Sequence, residues 1–138
     1  MRKMKNSKGF TLMEMLIVVA IIAVLVAVMI PVMTNQLERS REAADAANIR
    51  AAYAEVMSAA LVGTDDNTDV TYDSATATYS MEVEATQKKA EWQNTSIEKI
   101  GGLAVGEGTG EIKAVTNGNK WTVSYKEDDG TVTITPVN

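Results

Sequence analysis

KGFTLMEMLIVVAIIAVLVAVMIP, Lys8 to Pro31, carries only one charged side chain after its first residue, Glu14. From Met15 to Gln36 there is no charge at all, and about 20 apolar residues are enough to span a bilayer as a helix. Arg2, Lys3, Lys5 and Lys8 precede this run. Basic residues on that side keep the N-terminus in the cytoplasm and send the remainder outward. The run is too long for the apolar region of an ordinary secretory signal. No small-x-small cleavage site follows it; the chain continues into an alanine-rich helical pattern. The segment is therefore predicted to anchor an extracytoplasmic domain.

Beyond Gln36 the character reverses, and charged and polar residues dominate from Glu38 on. The first nine residues hold four of the 13 basic residues and none of the 18 acidic ones. Without them, nine basic residues face 18 acidic ones, and the side chains sum to −9. A body so acidic repels nucleic acid and anionic headgroups, so generic nucleic-acid binding is not expected. The chain has no cysteine and no histidine. That removes disulfides, thiolate metal sites, the usual general base and the commonest metal ligand together. No cofactor, metal or catalytic residue is predicted. An exported domain without disulfides suits Gram-positive secretion.

Glu14 needs a reason, because a charge at the centre of a bilayer costs roughly 2.5–3.5 kcal/mol on insertion scales. Pro31 needs one too, since a proline inside a helix removes a hydrogen bond and clashes with the preceding turn. A kink or a locally melted stretch is expected around Ala27 to Pro31. Taken together, Gly9, Phe10, Thr11-Leu12, Glu14 and the spacing to Pro31 resemble the class III signal and N-terminal helix of type IV pilins and pseudopilins. The resemblance covers the first quarter of the chain. Met13 and Met15 stand where Ile, Val or Leu is commoner in that family, a change that nearly conserves volume.

The resemblance implies that a membrane peptidase cuts after Gly9 and that Phe10 becomes an N-methylated first residue. Glu14 is then the fifth mature residue and Pro31 the twenty-second. It also implies partners: the prepilin peptidase and methylase, an assembly platform with its motor ATPases, the membrane before assembly, and further copies of the chain in a helical homopolymer. Electrostatics gives Glu14 a matching role. Cleavage before Phe10 creates a cationic amine at nearly the height of Glu14, and axially offset subunits would let the amine of one meet the carboxylate of the next. A charge left alone in an apolar bundle is strongly penalised, so such pairing fixes register.

After Gln36 the helix is predicted to resume through ERSREAADAANIRAAYAEVMSAALVG, rich in strong helix formers. Ile49, Tyr53, Val56 and Ala60 recur on one face, and Gly63 is placed as the C-cap. From Phe10 to Val62 such a helix spans roughly 80 Å at 1.5 Å per residue. Its apolar first half is too long for the remaining residues to cover. Residues 64–78 read as a polar linker. Asp65, Asn67 and Asp69 open like a calcium loop, but the required glycine is missing and Thr76 stands where a bidentate Glu belongs.

Tyr79–Ala85 alternates as a strand, with Met81 and Val83 on one face, and 87–92 reads as a short helix or turn with Trp92 as a core anchor. GGLAVGEGTG lacks the features of a phosphate-binding loop and reads as a flexible loop. Glu111–Thr116, Lys120–Lys126 and Thr131–Val137 are predicted strands, separated by the hairpin turns Asn117-Gly118-Asn119 and Asp128-Asp129-Gly130. Asn94-Thr95-Ser96 matches a glycosylation pattern and carries little weight.

The expected fold is α+β: a long N-terminal spine helix, its first half hydrophobic and transmembrane, packed on a small antiparallel sheet of about four strands. The expected divisions are a removed leader at 1–9, a hydrophobic assembly helix at 10–36, an amphipathic half-helix at 37–63, and a C-terminal β-domain with linker at 64–138. The expected function is that of a structural subunit of a type IV pilus-like filament, first in the cytoplasmic membrane and then on the cell surface. Alternatives are a minor pilin, a pseudopilin of a competence or type II secretion system, or a membrane-anchored extracytoplasmic binding module. The last leaves Gly9-Phe10, Glu14 and Pro31 unexplained. A hydrolase with paired carboxylates is disfavoured, because the acidic residues are expected at turns and strand exteriors. The chain lacks the C-terminal cysteine pair of many Gram-negative major pilins. The presence of Glu14 argues against the first minor subunit of a tip complex, which often lacks it.

Overall fold

The computed structural model describes residues 9–64 and 69–137. The basic residues of the leader, and Asp65 and Asn67 of the calcium-like spacing, lie outside them. Helix α1 runs Leu12–Val62, 51 residues. The chain divides into two units, Met1–Asn35 and Gln36–Asn138.

In the first unit every described residue is exposed. The helix is long and apolar enough to cross a membrane. It stays helical through Pro31, so the melted stretch expected around Ala27 to Pro31 is not found. Pro31 forfeits a single backbone bond, and the helical turns on either side outweigh it. Thr34 Oγ1 donates to the Pro31 carbonyl at 3.0 Å.

The second unit is α+β. Strands β1 (Thr71–Asp73), β2 (Thr78–Glu84), β5 (Lys120–Lys126) and β6 (Thr131–Val137) form a four-stranded antiparallel sheet in the order β1-β2-β5-β6. Its inner residues Tyr79, Val83, Trp121, Val123 and Ile134 pack with Ala46, Ile49, Ala52, Val56 and Ala59 of α1. Tyr53 and Ala60, expected on the buried stripe, sit half-buried at its margin. Gly63 ends the helix at φ +96°, its N–H bonded to the Ala59 carbonyl at 2.8 Å, as a left-handed C-cap does.

Two of the expected strand positions are corrected. Glu111–Thr116 is not a strand; only Ile112 makes an isolated bridge, to Val105. Its buried residues, Ile112 and Val115, are three apart rather than two. The carbonyls of Ile112 and Lys113 accept from the indoles of Trp92 (3.0 Å) and Trp121 (2.8 Å), so ring N–H groups take the place of a strand partner. The fourth strand is instead β1, within the segment read as linker. There Thr71 pairs Ser80 and Asp73 pairs Thr78.

The glycine-rich stretch is also more ordered than a flexible loop. β3 (Lys99–Ile100) and β4 (Leu103–Ala104) form a hairpin. Gly101 and Gly102 both have positive φ, 58° and 86°, as its two-residue turn requires. A Cβ on Gly101 would come within 2.9 Å of the Tyr53 ring. Residues 87–92 form no helix; 88–91 are bends.

Candidate functional site

Gly9 is exposed, and a Cβ built on it meets nothing within 4 Å. Phe10 is 80% exposed. The helix begins just after them with a capping box: Thr11 Oγ1 accepts from the Glu14 N–H (3.2 Å), and a Glu14 carboxylate oxygen accepts from the Thr11 N–H (2.7 Å). These reciprocal bonds satisfy two donors that a helix start leaves orphaned. The carboxylate also lies where the positive end of the helix dipole favours it. Gly9, Phe10 and Glu14 are thus gathered at one helix end, while Pro31 stands more than four turns along. The capping role was absent from the reading of Glu14, although Thr11-Leu12-Met13-Glu14 spells its pattern.

A second constellation was not anticipated. Glu38, Glu42 and Asp45 of α1 are buried, Glu42 and Asp45 fully and Glu38 to 3% exposure. These three carboxylates depart from the expectation of acidic residues at turns and strand exteriors. Each holds a consecutive pair of backbone N–H groups from residues 86–94. Glu38 accepts from Lys88 (2.5 Å) and Lys89 (2.6 Å). Glu42 accepts from Gln93 (2.8 Å) and Asn94 (2.6 Å). Asp45 accepts from Thr86 and Gln87 at 3.0 and 2.9 Å, and from the Thr86 hydroxyl at 2.6 Å.

A carboxylate with two or three such donors can be buried as an anion, because the N–H dipoles replace its water. Arg41 adds an ion pair to Glu38 at 3.2 Å. Burial alone would raise the Glu38 pKa; the N–H bonds from Lys89 and Lys88, then Arg41, outweigh it and hold the group below its ordinary 4.5. With their oxygens committed in this way, the three acids act as struts that fasten residues 86–94 to the helix.

The fastened segment closes the core. Trp92 lies near-parallel to the buried Trp121, ring centres 6.0 Å apart. Gln87 is fully buried, its Nε2 donating to the Lys89 carbonyl at 3.3 Å, and its Oε1 has no partner among the described residues. The signal for the struts was in the sequence. Counting back from Val56 through Ala52 and Ile49 in steps of four and three reaches Asp45, Glu42 and Glu38, on the face that packs inward.

Among the described residues no group of three acidic side chains is arranged to hold a metal ion. No curated protein is similar enough to the chain to count as a match. Residues 4–30, which include Gly9, Phe10, Glu14 and most of the uncovered apolar helix, match the family described as the prokaryotic N-terminal methylation motif. Over residues 4–30, therefore, the chain carries the prokaryotic N-terminal methylation motif, the class III signal of type IV pilins and pseudopilins.

Proposed function

We propose that the chain is a structural subunit of a type IV pilus-like extracellular filament, cut after Gly9, methylated on Phe10 and polymerised through residues 10–36. The observation that carries this reading is the conjunction of the methylation motif with an apolar helix that the chain leaves uncovered. Leu12, Leu16, Ile17, Val24, Leu25 and Ile30 are among the many large apolar side chains exposed along it. Exposed apolar surface on that scale demands lipid or protein around it. Before assembly the membrane supplies the cover. In the filament, other copies do, with Glu14 meeting the Phe10 amine of a neighbour and Pro31 leaving its helical stretch able to extend. Residues 37–63 and 64–138 then form the body that faces water. No chemistry is required of it, in keeping with carboxylates committed to backbone N–H groups.

Replacing Gly9 tests the proposal cleanly, since the open space around it leaves no fold-based reason for failure. Gly9→Leu should block leader removal, because the peptidase implied by the motif needs a small residue there. The longer, unprocessed chain should accumulate in the membrane fraction, and no subunit should appear in sheared surface material. Normal yield in the sheared fraction from Gly9→Leu would contradict the proposed cut.

A further inference from the structure

Asn117-Gly118 is the only Asn-Gly pair in the sequence, and its surroundings are unusual. It sits at the middle of a tight turn closed by the Asn119 N–H donating to the Thr116 carbonyl at 3.0 Å. Both residues are exposed. Gly118 has φ +97°, and a Cβ built there meets nothing within 4 Å. Among the described residues no hydrogen bond holds the Asn117 carboxamide or the Gly118 N–H. Other asparagines are tied down. The Asn94 side chain accepts from the Ser96 N–H (3.1 Å) and donates to the Arg39 carbonyl (3.4 Å), and Asn119 Nδ2 donates to Thr116 Oγ1 (3.4 Å). Asn48 lies within α1, where the following N–H is engaged in the helix.

We propose that Asn117 is a site of spontaneous deamidation, and that its product loosens the attachment of residues 85–87 to Asp45. The Gly118 nitrogen gives its proton to hydroxide and attacks Asn117 Cγ. The new N–Cγ bond forms as the Cγ–Nδ2 bond breaks, and Nδ2 takes up a solvent proton and leaves as ammonia. The resulting five-membered imide then adds water at one of its two carbonyls. Cleavage at Cγ gives aspartate in a normal backbone; cleavage at the main-chain carbon gives isoaspartate, with the chain running through Cβ and Cγ. The net exchange is one water in and one ammonia out.

Isoaspartate lengthens the main chain by one carbon at a point bracketed by two hydrogen bonds. On one side the Asn117 N–H donates to the Gln87 carbonyl (2.7 Å), and on the other the Ala85 N–H donates to the Asn119 carbonyl (3.0 Å). The inserted carbon breaks the register that lets both hold at once. Between their partners lies Thr86, whose N–H and hydroxyl, with the Gln87 N–H, are the donors to Asp45. Ageing of the turn is thus transmitted to the strut.

The test uses the full-length chain in detergent, incubated folded and, in parallel, denatured at mildly alkaline pH. Cleavage at Lys113 and Lys120 releases the peptide Ala114–Lys120 for mass spectrometry with separation of isoaspartate. In the folded chain Asn117 should convert on the order of tenfold faster than Asn94 or Asn119, since no Cβ at Gly118 hinders the attack. Isoaspartate should be the main product. Amide exchange at residues 85–87 should rise with conversion. Asn117→Gln, whose ring closure is slower, should abolish both changes while keeping wild-type tryptophan fluorescence. An Asn117 that survives in the folded chain, whether or not the denatured chain converts, overturns the site. Conversion without faster exchange at 85–87 overturns its link to Asp45.

Discussion

Glu14 closes a capping box with Thr11, and in the proposed filament it also faces a neighbour's Phe10 amine. Substitutions separate the two roles, because a glutamine completes a capping box as a glutamate does but carries no charge. Glu14→Gln should leave membrane insertion and helix content at wild-type level and still lose fibre yield, as Glu14→Val should. Glu14→Val removes the insertion penalty, roughly 2.5–3.5 kcal/mol at most. It leaves the amine of the neighbour unpaired, a loss of about 3–5 kcal/mol for a buried pair. Glu14→Asp should fall between. The readout is the ratio of membrane-bound to sheared subunit for each variant, with processing at Gly9 checked. Wild-type yield from Glu14→Gln would show that capping, not charge, is what the position requires. At the residue scale the motif of residues 4–30 was legible, because Gly9, Phe10 and Glu14 follow a fixed pattern, whereas the capping bonds between Thr11 and Glu14 were not read from it.

At the scale of the element, one stripe of α1 changes chemistry along its length, from Val56, Ala52 and Ile49 to Asp45, Glu42 and Glu38. The apolar part was read from spacing. The acidic part was not, because a carboxylate is ordinarily a solvent residue and its burial depends on donors more than 40 residues away. Those donors lie on an irregular segment without periodicity. Strand β1 was missed for a related reason: three exposed residues among Thr, Asp and Ser acquire strand character only by pairing with β2. Glu42→Gln puts an amide NH2 opposite either the Gln93 or the Asn94 N–H. It should cost about 1.5–3 kcal/mol, the range for a hydrogen bond to a charged group, measured by thermal unfolding of the full chain in detergent. Acid should act on the Glu38 strut. The fold holds Glu38 below 4.5, so its contribution is complete above the unfolded pKa and fades as pH falls through the lower folded value. Tryptophan fluorescence followed downward from neutral pH should report loosening around Trp92 in that window. Glu38→Gln should weaken that part of the acid dependence, and an unchanged profile would remove Glu38 from the account.

As a whole, the molecule has one unit with a core of its own and another, up to Asn35, whose described residues are all exposed. The body places Trp121, Val123, Ile49 and Ile100 out of contact with water, whereas the described residues from Gly9 to Gln36 are all exposed. In the proposed filament subunit, lipid and then other copies would cover that stretch. An apolar stretch long enough to need outside cover was legible in the sequence, because it rests on the distribution of charge and apolar residues, which needs no tertiary partner to read. The most direct measurement is mass spectrometry of the N-terminal peptide of this protein in sheared surface fibres, beside the same peptide from the membrane fraction. The subunit in fibres should begin at Phe10, one methyl group heavier than unmodified phenylalanine, with the first nine residues absent. Fibres lacking this chain, or containing it with Met1–Gly9 still attached, would contradict the proposed function.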